Sequence, residues 1–249
     1  MRKLGNILVS AKGTGGFFTA PFKRRTAAAL LSDLLEGQTG NSALPERLIL
    51  SDEKMLGRAF DADGRSIYPF ARTHLASIRK LFPGKIDEIH LTIRSYDTFL
   101  VSVYAMRALY AHGVKPFEQI SETLLHPQLK WSNLVDDLQQ FFPDARIVLS
   151  VFEEHGPKQR LQSLLGEVGR GIDIGGYLPP PVNMAPTLDA INAVQISGKK
   201  PRDPDRIVLE YSGGKPFDPL DDTTAKELRA VYQAEVEVLR VRRGIEWLA

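Results

Sequence analysis

The sequence predicts an α/β fold: a mostly parallel sheet with helices on both faces. Short β-rich runs alternate along the chain with longer runs whose apolar residues recur every three or four positions. Three of the short runs, 48–50, 89–93 and 146–151, also stop abruptly at polar clusters, namely Ser51-Asp52-Glu53, Arg94-Ser95 and Phe152-Glu153-Glu154-His155. In open α/β sheets the ligand crevice lies beyond the carboxyl ends of the strands, so these clusters are expected to share one layer.

Composition narrows the class. With 249 residues, 43% hydrophobic and 25% charged, the chain is ordinary globular material, and one domain over 1–249 is expected. A net charge of +2 advertises no affinity for nucleic acid or an acidic membrane surface. Cysteine is absent, which removes disulfides, thiolate catalysis and cysteine-based metal sites. No apolar run approaches the length of a membrane span, and Met1 does not open a signal-peptide pattern. A cytoplasmic protein is the expectation, with no metal and with its oligomeric state open.

Taken in order, Ile7-Leu8-Val9-Ser10 reads as a short strand, followed by the glycine-rich stretch Ala11-Lys12-Gly13-Thr14-Gly15-Gly16. Such a turn can cradle a phosphate with its backbone N–H groups, or it can be a simple flexible loop. Lys23 to Glu36 reads as a helix whose first turn is basic, a charge that opposes the helix dipole. Leu48-Ile49-Leu50 is a continuous apolar run, as a buried parallel strand should be. Asp52 and Glu53 follow it either as a cap or as a base. Asp61-Ala62-Asp63-Gly64 lacks the ligand spacing of a calcium loop and reads as a turn. Tyr68 to Leu81 reads as a helix with Phe70, His74, Leu75, Ile78 and Leu81 on one stripe. His74 is then either a packed core histidine or an imidazole reaching the crevice.

The central unit runs from Lys85 to Tyr104. Apolar residues alternate through Ile89-His90-Leu91-Thr92-Ile93, and from Ser95 the period changes to that of a helix carrying Tyr96, Phe99, Leu100, Val103, Tyr104 and Met106. Ser95 or Asp97 is placed to cap the first turn. Arg94 would stand at the strand–helix junction as a fixed fork of donors. Unpaired helix N–H groups would lie beside it, with the Ser102 hydroxyl two turns on. Beyond this unit come a short helix that begins at Lys115-Pro116-Phe117 and runs to Leu125, a helix from Trp131 to Phe142 closed by Pro143, and the strand Arg146 to Val151. A helix near 158–168, a loop at 169–181, a turn and helix at 183–196 and a long charged connection at 197–219 follow. The last element is a helix from Thr223 to Val241 with Leu228, Val231, Tyr232, Val238 and Leu239 toward the core.

An arginine at a strand end followed at +8 by a serine resembles the pair with which sulfotransferases hold the 3′-phosphate of the donor PAPS. Two further segments strengthen that resemblance. Ser51-Asp52-Glu53-Lys54-Met55-Leu56-Gly57 is similar to the S-x-E-x-x-L-G segment of bacterial sulfotransferase-like proteins, and Trp131-Ser132-Asn133-Leu134-Val135 through Phe152-Glu153 is similar to a later block of the same family. The resemblance covers roughly residues 46 to 155 and extends more loosely to the C-terminus. It implies a three-layer α/β/α, P-loop sulfotransferase-like fold, with sulfuryl transfer from PAPS to a hydroxyl of a saccharide or small metabolite. Arg94 and Ser102 would bind the 3′-phosphate, Glu53 would be the base, Lys12 would stand near the bridging oxygen, and Glu153 would orient Arg94 or the acceptor. The family's K-x-G-[ST]-[ST] loop is not matched in order, since Lys12 is followed directly by Gly13, and residues 1–45 are atypical. Two alternatives stand beside the active enzyme: a non-enzymatic relative that binds a glycan or nucleotide, and an active member whose first strand and loop lie upstream of Met1.

Overall fold

A computed structural model describes residues 6–10, 47–51, 55–59, 66–82, 86–110, 114–126, 130–169, 186–197 and 204–249. The glycine-rich stretch with Lys12, the basic helix at 23–36, Glu53, the 61–64 turn and most of the 169–181 loop lie outside these residues.

Every described strand pair is parallel. Strand β1 (Asn6–Ser10) lies beside β2 (Arg47–Ser51), with Leu8 opposite Ile49. A separate three-stranded sheet has β4 (Arg146–Val151) at its centre, flanked by β3 (Glu88–Ile93) and β5 (Ile245–Trp247). Parallel neighbours need long crossovers, and helices supply them. Between β3 and β4 run α2 (Tyr96–Tyr110), α3 (Phe117–Leu125) and α4 (Trp131–Phe141). Between β4 and β5 run α5 (Pro157–Leu165), α6 (Leu188–Ser197), α7 (Pro204–Glu210) and α8 (Asp222–Arg240). Helix α1 (Ala71–Leu81) precedes β3 and packs on α4.

The alternation Ile147, Leu149, Val151 suggests one buried face for β4, but Val148 and Ser150 are buried as well. Both faces of the central strand are therefore covered, the situation that favours near-continuous apolar strands. Ser150 is tolerated there because its hydroxyl bonds Thr92 Oγ1 on β3 at 2.8 Å. Arg146 pins the amino ends of all three strands, reaching Glu88 at 3.0 Å and Glu246 at 2.8 Å.

Several elements depart from the sequence reading, and Met106, expected on the apolar stripe of α2, is exposed. Helix α1 begins at Ala71, not Tyr68, because Tyr68 has a left-handed φ of 47° and donates its N–H to Ala59 O at 2.8 Å. Phe70 is consequently exposed, and the buried stripe is Ala71, Leu75 and Ile78. Helix α8 buries Leu228, Tyr232, Glu235, Val236 and Leu239, whereas Val231 and Val238 are exposed, the latter at 61%. Two apolar lines compete on that helix, and the one with aromatic and leucine anchors and an anchored carboxylate wins the core. The long connection at 197–219 contains α7, and it returns to the core through Phe217, whose ring packs on Tyr104 and Phe117. Strand β5, three residues long, is too short to show a period.

Candidate functional site

Sequence places the β3–α2 junction at the carboxyl end of the sheet. Phe152 N–H bonds Ile93 O at 2.8 Å, the last rung of the β3–β4 ladder, and beyond it the two chains diverge. Arg94 leaves β3 while Phe152 and Glu153 leave β4, so residues 58 positions apart in sequence meet over the strand ends.

Arg94 is half-buried and held at three points. Its Nε donates to Thr98 Oγ1 at 3.0 Å, its carbonyl accepts from Trp131 Nε1 at 2.9 Å, and its guanidinium carbon lies 4.7 Å from the centre of the Phe152 ring. Arg160 from α5 lies at the same distance from that ring. Phe152 is 44% exposed, so it serves as a platform at the crevice rather than as core. Burial pulls the ionisation of both arginines below the ordinary value, and the Glu153 carboxylate works against that in each case.

The start of α2 is more crowded than the sequence suggests. Ser95 N–H, which an incoming anion could have used, is bonded to Glu153 Oε1 at 3.1 Å. The Ser95 hydroxyl donates to Asp97 Oδ1 at 2.5 Å, and Asp97 Oδ2 in turn accepts from Arg229 of α8. The Thr98 hydroxyl has Ser95 O at 3.1 Å and Glu153 Oε1 at 3.3 Å as acceptors for its single proton. Glu153 thus reaches Arg94 through Thr98. Three guanidinium groups, on Arg94, Arg160 and Arg229, face two carboxylates, on Glu153 and Asp97. The described crevice keeps a positive excess, which suits an anion.

Ser102 is half-buried on α2. Arg94, Thr98 and Ser102 are spaced by four, so Thr98 and Ser102 follow one another along one face of the helix, about 6 Å apart along its axis at about 1.5 Å per residue. Thr98 was not singled out by sequence, although this i, i+4 spacing signals it. Arg160 and the Phe152 platform were also missed, and no local signal reveals them, because they meet Arg94 only through the β3–β4 pairing. Residue Glu53 lies outside the described residues, as does Lys12. His74 sits on α1 against Gly57, where a Cβ added to the glycine would fall 2.9 Å from His74 Nε2, and burial lowers its ionisation.

Behind the crevice a buried network fixes the main chain. Tyr96 Oη donates to Glu235 of α8 and accepts from Trp131 N–H at 3.0 Å, while Glu235 Oε1 accepts from Ser132 N–H at 2.8 Å. The Glu235 carboxylate therefore satisfies the first turn of α4 from outside, where a negative charge complements the helix dipole. Burial, followed by the charge and bond of Glu235, pushes the Tyr96 phenol far up. Among the described residues no group of three or more His, Cys, Asp or Glu could hold a metal ion, and no helix is long and apolar enough to cross a membrane. Compared with family models, with curated proteins and with solved structures, the chain matches none of them.

Proposed function

We propose that the crevice beyond β3 and β4 binds the 3′-phosphate of PAPS, and that the chain is a sulfotransferase built on a three-layer α/β/α sheet of the P-loop type. The observation that carries this reading is Arg94 itself: a strand-end guanidinium held through Nε by Thr98 and laid over Phe152. Nε is committed, so the terminal nitrogens form the face that meets a phosphate, and a guanidinium already oriented loses little freedom on binding. Ser102, one turn beyond Thr98, supplies a hydroxyl to the same ligand. In the reaction the acceptor hydroxyl oxygen attacks sulfur, the bond from sulfur to the bridging phosphate oxygen breaks, and adenosine 3′,5′-bisphosphate leaves. Glu53 takes the acceptor proton, and Lys12 meets the charge that develops on the bridging oxygen. The acceptor is a saccharide or a small hydroxylated metabolite.

The test is a thermal shift with adenosine 3′,5′-bisphosphate against AMP. Mass action raises the melting temperature for the ligand that binds the folded state. A clear shift with the bisphosphate and a much smaller one with AMP are expected. Equal shifts, or none, would remove the 3′-phosphate role. Turnover with labelled PAPS and a panel of saccharides then separates an enzyme from a binding protein.

A further inference from the structure

We propose that Glu153 is a competitor built into this crevice: its carboxylate occupies the anion position at the start of α2, and a ligand phosphate binds by displacing it. The inference rests on the anion-binding reading above and adds to it what sets the site's affinity.

Three observations support it. The Glu153 carboxylate does what a bound phosphate would do, accepting Ser95 N–H at 3.1 Å and standing at 3.3 Å from the Thr98 hydroxyl that holds Arg94. Its charge also acts on both guanidinium groups over Phe152, partly offsetting the cost of their burial. Glu153 itself is exposed, so it can rotate into water and regain hydration as it leaves the site.

Neighbouring Glu154 provides the control, because it is an exposed strand-end carboxylate paired with Arg240 at 3.5 Å rather than with the crevice. Affinity for adenosine 3′,5′-bisphosphate and for inorganic phosphate is measured by titration calorimetry on the wild type, Glu153→Gln and Glu154→Gln. Glutamine keeps an oxygen for Ser95 N–H, and the melting temperature of each variant verifies folding. Glu153→Gln should bind both probes about tenfold tighter or more, the scale of one charge-assisted hydrogen bond, while Glu154→Gln should change them about twofold. Wild-type binding of the bisphosphate with no greater gain in Glu153→Gln than in Glu154→Gln overturns the competitor role and leaves the nucleotide site standing. A gain for inorganic phosphate without preference for the bisphosphate supports the competitor role and removes the PAPS assignment. No binding of either probe to any of the three proteins overturns both.

Discussion

Replacing Glu235 with alanine tests how the C-terminal helix holds the crevice in place. The side chain is 8% exposed and accepts from Tyr96 Oη and Ser132 N–H, while Tyr96 Oη serves as the acceptor for Trp131 N–H. Removing it orphans a part-buried peptide donor and a buried phenol, each worth about 1–3 kcal/mol, and deletes packed methylenes at about 0.8 kcal/mol apiece. Relief from burying a carboxylate offsets part of this, so a net loss of about 3 kcal/mol is expected. At a urea dependence of about 3 kcal/mol/M the unfolding midpoint should fall by about 1 M with unchanged slope. Glu235→Gln keeps an acceptor for Ser132 and should lose about half as much. Tyr96→Phe combined with Glu235→Ala should be non-additive by about 1 kcal/mol, since both remove the same bond. Additive losses, or a Glu235→Ala loss below about 1 kcal/mol, would show that the network is not what anchors α8 to the β3–α2 turn.

Other perturbations test the site and its supports. Arg94→Lys should lose most of the bisphosphate affinity that Arg94→Ala loses, because an ammonium can neither take Thr98 through Nε nor present a planar fork, and Ser102→Ala should lose about 1 kcal/mol by calorimetry. Wild-type affinity in Arg94→Lys would make Arg94 a structural residue. Gly57→Ala should cost more than about 1 kcal/mol by urea unfolding, because the residue has φ 86° and the new methyl meets His74 Nε2; an unchanged midpoint would mean that the 55–59 turn repacks freely. Asp221 caps α8, accepting Thr224 N–H at 2.9 Å, and that bond holds its carboxyl below the usual range. A depressed folded-state value means that this stabilisation is full at neutral pH and lost as pH falls through the folded-state value. Asp221→Ala should therefore melt lower than wild type at neutral pH, with the gap closing in acid; a gap independent of pH would rule out the charged cap.

Much of the fold was legible because it depends on local periodicity. Strands β2, β3 and β4 announce themselves by short apolar runs ending in polar residues, and helices α2 to α5 by their three-and-four spacing, although α5 ends at Leu165, three residues short of its expected end. The change of period at Arg94 and Ser95 located the crevice without any tertiary information. Choices between equivalent local patterns were less legible. Val231 and Val238 fit the apolar stripe of α8 as well as Val236 does, and only the seat of Glu235 against Ser132 and Tyr96 selects which line faces inward.

Sequence alone therefore determined the parallel α/β class, the strand–turn–helix at Arg94 and the spacing that sets Thr98 and Ser102 on one helical face, since all three follow from backbone geometry over a few consecutive residues. Tertiary structure decided what surrounds Arg94. The register of β3 against β4 carries Phe152 and Glu153 to the Arg94 turn, α5 adds a second guanidinium, and α8 adds Arg229 to Asp97 and Glu235 to Tyr96. Each of these pairings closes a long loop, from 58 residues for Glu153 to 139 for Glu235, whose ends are brought together by burial of the whole core and not by any preference of the residues that finally touch.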